Sequence, residues 1–263
     1  MIAAKIAAVL KKDAITALRY RNGFVFTAAT QAAQLATFYY LARAIGPQFR
    51  PEGMSYFSFL LVGTGFYTFL LAGVHSFLRT IQESQQTGTL EVLLTTSTSA
   101  PSLVAMNAVS SFASGFLQFA VFLGSGLLIV GPAIHANLAG CILVFVLSVV
   151  ITFALGLFAA GLQICVHKGS AVLWLIGSGA WLMSGTLFPV SALPRAVRLV
   201  SYCVPFTHSL LGMRLALLTG NSVGLRREIG VLALFSGLLV PAGIAFFSWT
   251  VRQARRNGTL AFY

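Results

Sequence analysis

Apolar residues run in long blocks along this chain, and polar residues are gathered into the short stretches between them. The blocks cover residues 24–44, 56–78, 103–130, 138–166, 170–188 and 229–251. Each is close to or above the roughly 20 residues that a helix needs to cross a bilayer. Residues 92–167 contain no Asp, Glu, Lys or Arg, which leaves room for two crossings and a turn. The gaps hold turn formers: Gly46, Pro47, Pro51 and Gly53, then Gly131-Pro132, then His167-Lys168-Gly169. The pattern predicts an all-α integral membrane protein with six transmembrane helices, a single membrane domain over residues 1–263.

Two stretches depart from that rhythm. In residues 1–22, Ile2, Ile6, Val9 and Leu10 share one helical face with lysines beside it, the pattern of a helix lying in the membrane interface. Asp13 falls on the same face and weakens the second half. Residues 189–228 are too broken by Pro189, Pro194 and Pro205 to form one span, and too apolar for a hydrated loop. Two short helices dipping partway into the membrane fit this stretch, over residues 195–203 and 206–218, as an outer re-entrant hairpin before the last span.

Composition supports the membrane reading. The chain of 263 residues is 57% hydrophobic and only 8% charged, against about 25% charged in a soluble domain. A net charge of +12 would suit nucleic acid. The basic residues flank apolar runs instead of forming one face, so no nucleic-acid partner is expected and membrane lipids are the natural contact. No secretory signal is expected, because Lys5, Lys11 and Lys12 interrupt the first stretch. Six spans put both termini on one side, and the basic residues before the first span and at the tail mark it as the cytoplasmic face of the cell membrane. Arg195, Arg198, Arg214, Arg226 and Arg227 then fall outside, against the rule, in a segment long enough to obey it less strictly. Cys141, Cys165 and Cys203 lack metal-ligand spacing; isolated apolar cysteines are expected, with a Cys141–Cys203 bridge as the alternative. No metal site is expected.

Residues 79–101 are polar and hydroxyl-rich, and they hold Glu83 and Glu91, two of only five acidic residues. Gly88 can cap a short helix with Glu91 in its first turn, where a carboxylate favours the positive helix end. Leu90, Leu93 and Leu94 would form an apolar ridge. Spacing alone leaves two readings open, a solvated turn on the membrane surface or a docking element. Within the spans, Gln31, Gln34, His75, Gln118 and Gln163 are polar groups that the bilayer disfavours. They serve either as hydrogen bonds between helices or as a substrate path through Gln31, Gln34 and Gln118, with Phe38, Tyr39 and Tyr40 as its aromatic wall. Small residues at Gly177, Gly179, Ala180, Ser184 and Gly185 would let the fifth span approach a neighbour closely.

No G-x-x-x-x-G-K-[ST] occurs, so the chain carries no phosphate-binding loop. Gly220, Ser222 and Gly224 match G-x-S-x-G with His208 and Glu228 nearby. That motif needs a strand–turn–helix elbow, and here it joins two apolar helices. A flexible outer loop is the better account, and no catalytic residue is expected.

The run ESQQTGTLEVLLTTSTSAPSLV resembles the loop after the second span in the ABC-2 family of ABC-transporter membrane subunits. The run SGTLFPVSALPRAVRLVSYCVPFTHSLLGMRLALLTG is similar to that family's second hallmark, where a span ends in Gly-x-x-x-Pro and leads into the outer re-entrant hairpin (Pro189, Pro194, Pro205, Arg214). The resemblance implies a permease subunit of an ATP-driven exporter, moving a drug-like, lipophilic or lipid-linked substrate outward. It implies two ABC ATPase subunits per complex, which would bind ATP and magnesium, and a second membrane subunit forming a homo- or heterodimer. It also makes the stretch from Glu83 and Gly88 through Leu90, Glu91, Leu93 and Leu94 a coupling helix docking on the ATPase. The family's loop proline corresponds to Pro101, after an unusually hydroxyl-rich run. The alternatives are a polysaccharide or lipid-linked glycan exporter, which needs a continuous aromatic-lined channel, and a passive channel or scaffold, which needs no ATPase.

Overall fold

The computed structural model describes residues 21–88, 100–130, 136–166, 169–219 and 222–257. Every regular element among the described residues is helical. In chain order they are α1 (Arg21–Ile45), α2 (Tyr56–Gln86), α3 (Ala100–Val130), α4 (Leu138–Val166), α5 (Gly169–Met183), α6 (Arg195–Cys203), α7 (Pro205–Arg214) and α8 (Ser222–Asn257). Single 3₁₀ turns lie at Pro51–Gly53 and Val190–Ala192, and a π-turn follows α7 at Leu215–Thr219. The expected interfacial helix and the stretch with Leu90, Glu91, Leu93 and Leu94 lie outside the described residues.

α2 is the axis of the bundle. Its sequence is apolar around the whole circumference, the mark of a helix enclosed by others. In its apolar window 78% of the residues are buried, against 17% in those of α3 and α8. The surrounding helices turn Leu117, Leu128, Ile142, Val146, Leu234 and Leu238 outward. Such a surface would drive aggregation in water and is at rest against lipid tails. The helices close in where a small residue faces a ring: a Cβ at Gly156 of α4 would lie 2.4 Å from Phe77 of α2. Beside this contact Phe69 and Phe145 stack with centroids 5.3 Å apart. At the end where α2 stops, Gln163 of α4 donates to Gln85 across 3.2 Å, and both side chains are buried.

Among the described residues, four helices are long and apolar enough to cross a membrane: α2, α4, α8 and the 112–129 portion of α3. The two other expected spans fall short for different reasons. At 25 residues α1 is long enough, but Gln31, Gln34 and several threonines make it too polar. α5 has only 15 residues, about 22 Å of helix against a hydrocarbon core of about 30 Å. It was expected to reach residue 188 and stops at Met183. Ser184 Oγ donates to Ala180 O at 2.6 Å and Thr186 Oγ1 to Trp181 O at 2.5 Å. These hydroxyls take up the last carbonyls while Gly185, at φ +75°, turns the chain away.

Other boundaries also moved. α2 continues well past residue 78, so Glu83 lies in its last turns rather than in a loop. Ser84 Oγ and Thr87 Oγ1 bond back to the carbonyls of Thr80 and Glu83 and carry the helix through this polar stretch. Gly88 also lies just past the end of α2; the helix it is expected to start falls outside the described residues. Its φ of +67° is left-handed, and its N–H donates to Gln85 O at 3.2 Å, the usual glycine stop just past a helix. α8 begins at Ser222 instead of 229 and contains Pro241. The second hairpin helix, expected to reach 218, ends at Arg214 and passes into the π-turn.

Proline placement shapes the hairpin. Pro189 and Pro194 precede the 3₁₀ turn and α6, and Pro205 occupies the first turn of α7. Val204, forced out of the helical region by the proline after it, is extended at φ −87°, ψ 117° and separates α6 from α7.

Candidate functional site

α1, α2 and α3 line a cavity of about 340 Å³ that is open on one side. Gln31 and Gln34 reach it from α1, Thr68 from α2 and Gln118 from α3, with Phe69, Phe119 and Phe122 as its aromatic wall. A little less than one turn separates Gln31 from Gln34, so both fall on the same face of α1. Gln31 Nε2 donates to the backbone carbonyl of Gln118 at 3.3 Å. Gln31 lies about 15 Å along the axis from the first residue of α1, near the middle of that helix. Glutamines from two distant parts of the sequence therefore line one cavity.

The expected aromatic wall is elsewhere. Phe38 is buried with Leu35, Met54 and Phe57 at the end of α2 where that helix begins. Tyr39 is exposed and meets Tyr40 and Phe57 edge-on. The cavity is lined instead by Phe26 of α1 and by phenylalanines of α2 and α3, which sequence alone could not single out among the chain's 22 phenylalanines. His75 faces a different, mostly apolar cavity of about 260 Å³ under α5. There Tyr67 Oη donates to Gly177 O at 2.6 Å, so Gly177 packs on α2 of its own subunit. A Cβ at Gly179 would meet open space. Gln163 holds α4 to α2 through Gln85, the interhelical role.

The hairpin is held by two buried polar anchors. Arg214, 2% exposed, ends α7 with its guanidinium over the Phe59 ring, 3.5 Å from Cζ to centroid. Nη2 donates to Phe59 O at 3.1 Å and Thr186 O at 3.3 Å. Only a glycine fits beneath it, because a Cβ at Gly63 would lie 2.0 Å from Nη2. Burial pulls Arg214 down to about 10, with Glu52 opposing, so it stays cationic at neutral pH. The second anchor ties α7 to α8: His208 Nδ1 meets Glu228 Oε2 at 2.7 Å and Nε2 faces Tyr202 O at 2.9 Å. Burial lowers the His208 pKa, but the hydrogen bonds to Glu228 and Tyr202 and the carboxylate charge outweigh it, against Arg227, and the net shift is upward. Both ring nitrogens are engaged, which leaves none to activate Ser222. Sequence reading met His208 and Glu228 only as catalytic candidates and missed their pairing. The available signal was the single carboxylate in the whole 189–228 stretch.

Of the remaining hairpin contacts, Ser201 Oγ donates to Met183 O at 2.6 Å and Thr207 Oγ1 to Ser201 O at 2.7 Å. Arg198 donates to the carbonyls of Ser191 and Leu193. Cys141, Cys165 and Cys203 are unpaired. The hairpin is thus tied to α2, α5 and α8 by these polar contacts, while Phe206, Leu210 and Met213 of α7 are buried in the main apolar core.

Comparison with curated proteins gives no significant match. The profile of the ABC-2 type transporter family, by contrast, matches residues 4–218, from the N-terminal stretch through the hairpin and its π-turn. With its apolar helices, central α2 and proline-punctuated hairpin, the chain belongs to the ABC-2 type transporter family and is a multi-pass membrane permease component of an ABC transporter.

Proposed function

We propose that this subunit exports a drug-like, lipophilic or lipid-linked molecule from the cytoplasmic side outward, driven by separate ATPase subunits. The observation that carries the reading is the mid-span cavity where Gln31, Gln34 and Gln118 meet against a phenylalanine wall. A permease for ions would be expected to place charge at that depth; here amides and aromatic rings stand there instead. Since the sequence has no phosphate-binding loop, ATP and magnesium belong to the partner. Two ATPases and a second membrane subunit complete the assembly, which sits in the cell membrane with both termini cytoplasmic. α1 and α5 complete the six spans, α5 with the hairpin making up its missing length on the outer side.

In this mechanism ATP binding draws the two ATPases together. They push on the stretch from Glu83 to Leu94, and α2 carries the push. α2 suits this role because it is 31 residues long and packs along the centre of the bundle. A tilt of α2 changes the cavity that it shares with α1 and α3 and opens it outward. Replacing Glu91 and Leu93 together is expected to abolish stimulation of the partner's ATPase while membrane insertion stays normal. Undiminished stimulation would refute the docking role. A tag at 220–224 is expected to be labelled from outside intact cells; labelling only after lysis would reverse the topology.

A further inference from the structure

The cavity between α1, α2 and α3 carries chemistry that narrows what it can hold. Among the described residues, no Asp, Glu, Lys, Arg or His lines it. A charged ligand would leave water without a counter-charge, and an isolated ion in such surroundings is strongly disfavoured. Its polar lining consists of amides and hydroxyls. Gln31 spends its Nε2 on a backbone carbonyl of α3. The side-chain amides of Gln34 and Gln118 make no hydrogen bond to another described residue and remain on offer as both donors and acceptors. An amide without a partner at mid-bilayer depth costs stability unless something polar meets it.

The rest of the lining is apolar, and Phe26, Thr27, Thr30 and Gln118 leave the cavity open at the bundle surface. Its entrance is therefore sideways, between α1 and α3, at the depth of lipid tails. A ligand arriving there comes from within the bilayer and carries an apolar body with it. The volume of about 340 Å³ is at the lower end of the roughly 300–1,000 Å³ usual for small-molecule sites, enough for a head but not for a whole lipid.

We propose that this cavity binds the uncharged, amide- or hydroxyl-bearing head of an amphiphile that enters laterally between α1 and α3, with Gln34 and Gln118 as its hydrogen-bonding partners. The proposal rests on the transport reading above and names the substrate class for it. Phe69, Phe119 and Phe122 pack on the part of the ligand next to the head, and the tail stays in lipid. Anionic and cationic amphiphiles of the same length are rejected because no described residue of the lining carries an opposite charge.

The test uses the full complex with its ATPase in lipid nanodiscs and three photoactivatable benzophenone probes of equal length. One ends in a neutral carboxamide, one in a carboxylate and one in a trimethylammonium group. The carboxamide probe is expected to crosslink saturably within residues 26–34 and 112–122, and the charged probes only at background. Gln34→Leu and Gln118→Leu, which remove polar groups from mid-span and so leave folding intact, should each weaken its binding roughly fivefold, as the loss of one neutral hydrogen bond does. Gln34→Asn, which retains the amide on a shorter stem, should recover part of it. Equal labelling by all three probes, or no change in either Leu variant, overturns the proposal. So does crosslinking of these segments to the second membrane subunit with exclusion of the probe. Transport in proteoliposomes separates the two claims. If the carboxamide probe binds as expected yet ATP moves none of it, the export reading fails and the site stands; if it is exported but Gln34 and Gln118 do not matter, the site fails and export stands.

Discussion

Arg214→Met tests whether the buried guanidinium anchors the hairpin. Methionine keeps most of the apolar stem and removes only the charged fork. The fork makes two hydrogen bonds to carbonyls, at 3.1 and 3.3 Å, and lies 3.5 Å over the Phe59 ring. A hydrogen bond from a charged donor contributes about 1.5–3 kcal/mol, and a desolvated cation over an aromatic face about 2 kcal/mol. Phe59 O lies within α2 and has the helix ladder as a second source of donors, whereas Thr186 O is outside any helix and is left bare. The desolvation that pulls Arg214 down to about 10 is relieved on substitution and offsets about 3 kcal/mol. The net loss is about 3 kcal/mol, a fall in Tm of roughly 6–12 °C for a chain of this size. Thermal unfolding in nanodiscs, followed by tryptophan fluorescence, reads it. Arg214→Lys keeps the charge without the planar fork and should fall between the two. Gly63→Ala should be as damaging in the native background and nearly silent beside Arg214→Met, since its Cβ collides mainly with Nη2. An Arg214→Met protein as stable as the parent would refute the anchor, because apolar replacement of a buried ion is neutral only where the ion contributed nothing net.

The His208–Glu228 anchor gives a pH dependence with a definite sign. The folded-state pKa of His208 is raised, so its contribution is complete below the ordinary value of about 6.5 and is lost as pH rises through the raised one. Amide exchange in α7 should therefore quicken on the alkaline side, and His208→Gln should flatten that response; an unchanged profile in the variant would contradict it. The Gln85–Gln163 pair predicts that either single change to leucine costs about 1 kcal/mol, within the range for hydrogen bonds between membrane helices. The double change should be close to neutral, because it leaves no amide stranded. A denaturation midpoint for the double variant below both singles would contradict that account.

Helical class, the approximate place of the apolar blocks and the broken hairpin were legible because they depend on local properties. Apolar length, proline position and turn formers act within a few residues of themselves. The two hairpin helices begin where Pro194 and Pro205 said they would. Helix ends were less legible, since at Gly88 the stop of α2 depends on hydroxyl and backbone bonds of the preceding turns. The lengths of α2 and α5 were misjudged for a related reason: side-chain bonds to carbonyls extended one and terminated the other, and hydropathy does not register them.

Sequence by itself determined that the chain is built for lipid, that this sequence holds no phosphate-binding loop motif, and that Gln31, Gln34 and Gln118 are polar anomalies within apolar blocks. Each follows from the free energy of placing a residue type at a given depth, a one-body property. Which of the glutamines meet, and that Phe38 and Tyr39 turn away from them, was decided only by the packing of α1 on α2 and α3. The same holds for Arg214 finding the gap over Gly63 and for His208 finding Glu228. These are pairwise facts between residues far apart in the chain, and they exist only once the helices have chosen their neighbours.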